Sequence, residues 1–184
     1  MEILVVDCQY DFIDGSLACG HSLEAVANII NLINENPDAK VYYSADAHSL
    51  NHCSYIQNGG TWPIHCNAGT HGAELHASFF TDIKNPEQRP NDNTIYYKGD
   101  DDSHEEYSAF KAHNKAGKEI NQVIGQEVLV CGIASEFCVR ESVLELLKSG
   151  RKVELREDLL GWVDEAGHKK NFAELAKMEG ITAV

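Results

Sequence analysis

The sequence predicts a three-layer α/β fold with a mostly parallel sheet of about six strands. Several short apolar runs contain no alternation of apolar and polar residues, which is typical of strands covered on both faces in a parallel sheet. Between these runs lie segments with helical spacing of apolar residues, and strands that alternate with helices build α/β layers with right-handed crossovers. A length of 184 residues needs no second domain, so we expect a single domain over residues 1–184.

The first half of the chain contains two predicted strands and one predicted helix. Ile3–Val6 is a continuous apolar run that ends on Asp7, and Lys40–Ser44 is a second strand that leads to Asp46. Leu23–Asn34 carries apolar residues on one helical face, which predicts an amphipathic helix. Both predicted strands therefore end on a carboxylate.

The second half continues the alternation. Four strands are predicted at Thr94–Tyr97, Val128–Ile133, Lys152–Leu155 and Ile181–Val184. Three helices are predicted at Asn114–Val123, between Ser135 as N-cap and Gly150 as stop, and at Glu165–Met178. In the last helix we expect Phe172, Leu175 and Ala176 to face the core.

Three stretches are predicted to lie outside strands and helices. Residues 47–76 are polar and rich in histidine and glycine, which predicts a long functional loop, here called the histidine loop. Residues 77–93 show no clear period. Residues 100–106 are an acidic run that we expect to be solvated.

Composition argues against several classes of partner. Lys and Arg number 15 against 29 Asp and Glu, and a net charge of -14 repels nucleic-acid phosphates and anionic lipid. No apolar run approaches the ~20 residues of a transmembrane helix, and the segment after Met1 lacks the basic start of a secretory signal. Six cysteines without a CxxC pair are typical of reduced thiols. We therefore expect a cytoplasmic protein that binds neither nucleic acid nor membrane, with its oligomeric state open.

Cys138 lies where a buried strand changes into a helix. With Ser135 as N-cap, Cys138 falls in the first helical turn, where free N–H groups and the helix dipole favour thiolate and lower the thiol pKa from about 8.5. Such a cysteine is a candidate nucleophile. The alternative is a small buried apolar side chain, because free cysteine is among the most buried residue types.

Four predicted strand ends bring chemical groups to one edge of the sheet. Ligands of such folds bind outside the carboxyl ends of the strands, where Asp7, Asp46, Lys98 and Cys138 fall. A carboxylate near a thiol can take its proton, and a nearby ammonium favours thiolate and stabilises an anionic intermediate. Asp7, Lys98 and Cys138 together suit acyl transfer, although Asp7 alone fits a helix cap and Lys98 alone an exposed strand end.

The histidine loop and the residue before it offer a candidate metal site. Asp46, His48, His52 and His65 supply one carboxylate and three imidazoles, which suit zinc or ferrous iron. Nine histidines among 184 residues also cluster by chance, so a chance cluster that holds no metal is the alternative. The two flanking cysteines, Cys53 and Cys66, are alternative ligands, but we interpret them as packing residues because thiolate ligands would make the site softer than the Asp/His set suggests.

Six segments resemble the isochorismatase-like cysteine hydrolase superfamily, and in particular its nicotinamidase branch, nearly from end to end. The matching segments are Val6–Phe12, Asp46–His48 with His52, Trp62–Cys66, Lys98–Gly99, Tyr107–Phe110 and Val130–Val139. The order of acid, lysine and cysteine along the chain is specific in combination.

The resemblance implies hydrolysis of nicotinamide to nicotinate and ammonia through a cysteine thioester. It implies a catalytic triad of Asp7, Lys98 and Cys138. It further implies a cis peptide between Ile133 and Ala134, with the N–H groups of Ala134 and Cys138 as the oxyanion hole.

The same resemblance implies the substrate and metal residues. Phe12, Trp62, Tyr107 and Ala134 are implied to bind the flat pyridine carboxamide. Asp46, His48, His52 and His65 are implied to hold one divalent metal ion, with zinc favoured and iron or manganese as alternatives.

Three departures from the family pattern bear on ring selectivity. Ala47 stands where an aromatic residue is usual, Glu136-Phe137 stands where Asp-Tyr is common, and the Asp14–Ser16 loop lacks the usual paired glycines.

One rival function is another amidase of the superfamily that acts on a different small amide or carbamoyl substrate. A rival of another class is a non-catalytic metal-binding or redox protein, whereas Cys138 argues against isochorismatase proper, whose reaction does not use the thiol.

Overall fold

All six strands run parallel in one sheet, and helices cover both of its faces. In the computed structural model, which describes residues 1–184, the strands are β1 Glu2–Val6, β2 Lys40–Asp46, β3 Ile95–Lys98, β4 Glu127–Gly132, β5 Lys152–Leu160 and β6 Ile181–Ala183. The α-helices are α1 Tyr10–Ile13, α2 Ser22–Glu35, α3 Ser78–Thr81, α4 Ile120–Val123, α5 Arg140–Lys148 and α6 Glu165–Leu175. The predicted α/β fold with about six strands is confirmed.

The strand order creates a crevice at the centre of the sheet. The order is β3-β2-β1-β4-β5-β6, so the chain builds outward from β1 to β3 and then returns to β4 on the other side of β1. Such a reversal is where open α/β sheets bind ligands. The register sets Val6 beside Gly132 and Asp46 beside Lys98. Residues that follow these strand ends therefore meet at one place.

The continuous apolar run of β1 is explained by burial on both faces. Ile3 and Val5 belong to the core that includes the apolar face of α2, whereas Leu4 and Val6 belong to the core that includes α5. All four side chains are 0% exposed. A strand buried on both faces needs no alternation of apolar and polar residues.

No helix has the length and apolar character needed to cross a membrane.

Two predicted elements differ in extent from the observed ones. The helix predicted over Asn114–Val123 is limited to its last turn, α4, because the Asn114 side-chain oxygen accepts from the backbone N–H of Ala116 and Lys118 and so favours a turn. Strand β5 extends to Leu160 instead of ending at Leu155, because it pairs with β4 again beyond a register shift.

Helix α6 buries a face that only partly overlaps with the one predicted. Its buried residues are His168, Asn171 and Leu175, whereas Phe172 is half-buried and Ala176 is exposed. The predictions for Leu175 and for Phe172, which packs against the same core, are confirmed, and that for Ala176 is wrong. Apolar periodicity misleads here because two of the three buried positions carry polar side chains whose hydrogen-bond partners come from another segment.

Candidate active site

Cys138 lies on a π-helical turn at the carboxyl end of β4. This turn, Ser135–Val139, is here called the Cys138 turn, and α5 begins at the next residue. Ser135 is predicted to be the N-cap, but the cap position is Ala134, and the Ser135 hydroxyl bonds to α6 instead. Short π-helical turns are rare and occur frequently at functional sites. The peptide between Ile133 and Ala134 is cis, as the resemblance implied.

The fold brings Asp7, Lys98 and Cys138 together. Lys98 Nζ lies 2.9 Å from Asp7 Oδ2 and 3.6 Å from Cys138 Sγ. The three residues are 0%, 1% and 5% exposed. An acid, a lysine and a thiol from three strand ends therefore share one buried cluster, here called the catalytic cluster.

Asp7 is held in an unusual backbone conformation. Its φ is 47°, in the left-handed region that non-glycine residues rarely adopt. Its Oδ1 accepts from Ser44 Oγ at 2.6 Å, and its backbone carbonyl accepts from Gln9 N at 2.8 Å. Strain of this kind persists only where the surroundings determine the conformation, and it concentrates at functional sites.

The thiol does not have the low pKa expected from its position in the chain. Burial raises the pKa of Cys138 well above its usual value; Lys98 opposes the rise, and the Asp7 and Asp46 carboxylates add to it. Burial also raises the pKa of Asp7, against the attraction of Lys98. The expectation of a lowered thiol pKa is therefore wrong for the resting protein, because the partial charge of a helix terminus does not offset burial beside two carboxylates. The thiol and the Asp7 carboxylate compete for one proton.

Lys98 stays charged in the cluster. Burial opposes its charged form, but Asp46 and Asp7 outweigh burial and raise the pKa of Lys98 well above its usual value. Its Nζ contacts Asp46 Oδ1 at 2.5 Å and donates to the backbone oxygen of Glu106 at 3.3 Å. Burial likewise opposes ionisation of Asp46, yet Lys98 and His48 keep the pKa of Asp46 below its usual value. A fixed positive charge therefore stands beside the thiol.

Three of the four predicted metal ligands lie together. Asp46, His48 and His65 each offer one ligand atom, and these atoms lie within 4.8 Å of one another. His48 Nδ1 bonds the Gly99 carbonyl at 2.7 Å and His65 Nδ1 bonds the Pro63 carbonyl at 2.8 Å, so each Nδ1 carries the proton and each Nε2 keeps its lone pair. His48 Nε2 is buried and lies 3.5 Å from Asp46 Oδ2, but it makes no hydrogen bond. Histidine ligands of metals are typically oriented by this kind of backbone bond, so the set fits a divalent ion.

His52 lies outside this group. Its Nε2 donates to the His104 carbonyl at 3.1 Å, and its Nδ1 accepts from Ser54 Oγ at 2.7 Å. Its ring stacks on that of His48, with the centroids 4.0 Å apart. Both ring nitrogens are therefore engaged, and although the ring lies beside His48, neither nitrogen belongs to the group of ligand atoms.

The acidic run is not a solvated loop throughout. Asp102 Oδ1 accepts from Ser49 Oγ at 2.7 Å, which ties the run to the histidine loop. Glu105 is half-buried in the cavity wall, where burial and the charge of Asp46 raise its pKa. Sequence reasoning missed Glu105. The signal that could have found it is its position between Lys98 and Tyr107, two residues already assigned to the site.

A narrow cavity with aromatic walls opens beside Cys138. Its lining residues are Phe12, Leu17, Asp46, Trp62, His65, Glu105, Tyr107, Ala134, Phe137, Cys138 and Val163. Trp62 Nε1 donates to Tyr107 Oη at 3.0 Å, and the Trp62 and Phe137 rings meet edge to face at 87°. The four residues predicted to bind substrate all line this cavity. Phe137, which the sequence prediction did not include, forms part of the same wall, and aromatic walls of this kind suit a flat ring.

The chain matches one known protein family over nearly its full length. The family model of the isochorismatase domain matches residues 2–183, which confirms the resemblance that the motifs carry. A nicotinamidase of Escherichia coli (strain K12) is 29% identical over 180 residues, with 85% of this chain and 80% of the relative covered.

Solved structures agree with this match. The pyrazinamidase of Pyrococcus horikoshii in complex with zinc superposes with a TM-score of 0.83 at 28% identity, covering 100% of this chain and 97% of that one. PnC1 from L. infantum in complex with nicotinate superposes with a TM-score of 0.73 at 29% identity, covering 100% of this chain and 95% of that one.

Proposed function

We propose that the chain, which belongs to the isochorismatase family, hydrolyses nicotinamide to nicotinate and ammonia as one hydrolase domain. The observation that carries the proposal is the Cys138 thiol, 3.6 Å from the Lys98 ammonium, in the wall of a cavity lined by aromatic rings. The nicotinamidase relative and the similar structure in complex with nicotinate support a pyridine carboxamide as substrate. The reaction suits salvage of pyridine nucleotides.

Acylation begins with proton transfer from Cys138 to Asp7. Because the pKa values of both groups are raised, one of them holds the proton in the resting protein. When Asp7 accepts the proton, the Lys98 ammonium stabilises the resulting Cys138 thiolate. Cys138 Sγ then attacks the carboxamide carbon and the C=O π electrons move to oxygen. The tetrahedral intermediate collapses with cleavage of the C–N bond, and Asp7 returns its proton to the leaving nitrogen, which departs as ammonia.

The oxyanion of that intermediate is stabilised by fixed donors. We assign the backbone N–H groups of Ala134 and Cys138 to this role, with the Lys98 charge nearby. Donors that are oriented before the reaction act strongly in a cavity from which water is excluded. They need no reorganisation as charge develops on oxygen.

Deacylation uses the same groups in reverse. Water attacks the thioester carbon while Asp7 takes one of its protons. The second tetrahedral intermediate expels the Cys138 thiolate, which recovers the proton from Asp7. The product leaves as nicotinic acid, which gives its remaining proton to solvent and so becomes nicotinate, and the buried cluster returns to its starting protonation.

Asp46, His48 and His65 would hold one divalent ion, and we propose zinc. The orphaned Nε2 of His48 and the mixed nitrogen and oxygen donors fit a borderline metal. When bound, such an ion supplies a Lewis-acidic point that orients the ring nitrogen or a water. His52 as a fourth ligand stays a prediction; because both of its ring nitrogens are hydrogen-bonded elsewhere, we expect the other three residues to supply most of the affinity.

Ammonia release from a panel of small amides tests the proposed function. We expect nicotinamide and pyrazinamide to release ammonia at enzymatic rates, and small aliphatic amides and carbamoyl compounds to do so far more slowly. A preference for a carbamoyl compound would favour a related amidase of the family instead.

Iodoacetamide labelling of Cys138 separates an enzyme from a redox or metal-storage protein. Nicotinamide should protect Cys138 from alkylation, as judged by mass spectrometry of its peptide. Cys53, which is half-buried and lies outside the cavity lining, serves as the internal control and should be labelled equally with and without substrate. Absence of protection would contradict an enzyme that binds nicotinamide at this thiol.

A further inference from the structure

Helix α6 turns a polar face toward the protein interior. His168 and Asn171 are 1% and 5% exposed, and they stand three residues apart on the buried side of the helix. Buried polar groups destabilise a fold unless they are hydrogen-bonded. The partners of these two side chains therefore indicate what the face does.

Both side chains contact Ser135, the first residue of the Cys138 turn. Asn171 Nδ2 donates to the Ser135 carbonyl at 2.7 Å and to Ser135 Oγ at 3.2 Å. His168 Nδ1 lies 2.8 Å from the same Oγ. Ser135 stands between Ala134 and the rest of the turn and is 0% exposed. Two side chains of α6 therefore converge on one residue beside the nucleophile.

Ser135 has all of its polar groups bonded outside its own turn. Its N–H donates to the Gly161 carbonyl at 2.8 Å, and its carbonyl and hydroxyl bond to α6 as described. A π-helical turn has less favourable internal geometry than an α-helix and so depends more on its surroundings. The position of Cys138 relative to Asp7 and Lys98 is set by where this turn is anchored.

Glu157, His168 and Ser135 have the order of a hydrolytic acid–histidine–serine set. Glu157 Oε1 lies 3.4 Å from His168 Nε2, on the opposite side of the ring from Ser135. Nε2 makes no hydrogen bond, but the charge of Glu157 favours a proton on it, and because Asn171 already donates to Ser135 Oγ, the Ser135 hydroxyl donates to Nδ1. Because Ser135 Oγ is fully buried, it has no access to a substrate. The set can act only by fixing the turn.

We propose that His168 and Asn171 are positioning residues that hold the Cys138 turn in register with Asp7 and Lys98. The inference rests on the proposed function for its kinetic consequence. Misplacement of a reacting group by ~1 Å can cost about 100-fold in rate. Release of Ser135 should therefore impair the chemical step and the thiol's reactivity more than substrate binding.

Asn171→Asp tests the donor without changing the shape of the side chain. The variant keeps an oxygen for Arg140, whose Nη1 contacts Asn171 Oδ1 at 2.5 Å, but it sets an acceptor against the Ser135 carbonyl. Ser135→Ala removes a single buried oxygen and is the milder second variant if the first folds poorly. Lys170→Ala, on the exposed side of the same helix, is the matched control.

We expect Asn171→Asp to lower kcat for nicotinamide by about 10- to 100-fold with KM within about twofold. Alkylation of Cys138 by iodoacetamide without substrate should slow in parallel, Ser135→Ala should show a smaller change, and Lys170→Ala should match wild type. In the double variant Asn171→Asp/Ser135→Ala, the fold-loss of kcat should be smaller than the product of the two single fold-losses, because both substitutions act on the same contact.

Two results would overturn the inference. One is a lower melting temperature in Asn171→Asp and Ser135→Ala with kcat, KM and alkylation unchanged, which describes a merely structural role. The other is a rise in KM alone. If wild type itself releases no ammonia from nicotinamide, the proposed function fails, and the alkylation rates still decide whether α6 positions the thiol.

Discussion

The catalytic cluster and the histidine loop reach the same cavity by different routes. Asp7 and Cys138 follow the ends of β1 and β4, Lys98 is the last residue of β3, and the sheet register fixes where those ends lie. The histidine loop is irregular, and backbone carbonyls that bind single ring nitrogens orient its side chains. Topology thus determines which residues meet in the cluster, whereas hydrogen bonds determine which histidines in the loop keep a free lone pair.

The largest effect should come from the nucleophile. Cys138→Ala removes the sulfur that bonds to the substrate carbon, and loss of a covalent nucleophile should lower ammonia release by several orders of magnitude. Circular dichroism should show a folded protein, because alanine fits the space of the buried thiol. Turnover above about a hundredth of wild type would contradict the assignment.

The next prediction concerns the other two members of the catalytic cluster. Lys98→Met and Asp7→Asn should both abolish turnover, the first by deleting the fixed charge and the second by deleting the proton acceptor. They should move the pH midpoint of Cys138 alkylation in opposite directions. The Lys98 ammonium lowers the pKa of the thiol and the Asp7 carboxylate raises it, so Lys98→Met should shift the midpoint upward and Asp7→Asn should shift it downward.

The alkylation midpoint of wild type is the reference for this pair. Alkylation of Cys138 is followed by mass spectrometry of its peptide across a pH series. If both variants keep the wild-type midpoint, Asp7 and Lys98 do not act on the thiol, and the catalytic cluster does not work as a unit even in an active amidase.

Sequence reasoning succeeded where strand ends decide the geometry. The apolar run before Asp7 and the strand before Cys138 predicted that acid and thiol meet at one edge, and the register then brings in Lys98. It failed where burial or a local side-chain bond decides the outcome. The raised pKa of Cys138 and the turn that replaces most of the helix predicted from Asn114 both depend on such contacts.

Substitution of a metal ligand should have a smaller effect on the protein than substitution in the catalytic cluster has on turnover. His48→Ala removes an Nε2 that makes no hydrogen bond within the protein. Loss of this ligand should weaken zinc binding by at least the roughly 10- to 100-fold that loss of a ligand-orienting partner costs. His71→Ala is the control, because His71 lies in the same loop and is exposed. Metal content by elemental analysis should fall only in the first variant. Fully active wild type without any transition metal would refute the site.

The smallest change in zinc affinity should come from substitution of His52, the predicted ligand whose nitrogens lie outside the group formed by Asp46, His48 and His65. His52→Gln loses the imidazole but keeps an amide that can donate to the His104 carbonyl, so we expect zinc affinity within about threefold of wild type. Loss of the bond to Ser54 should cost about 1 kcal/mol of unfolding free energy. Competition titration with a chelator and urea unfolding measure the two quantities. If His52→Gln instead loses zinc as strongly as His48→Ala, the His52 ring must leave His104 when the metal binds. The loop would then be shaped by its ion as much as by its backbone carbonyls.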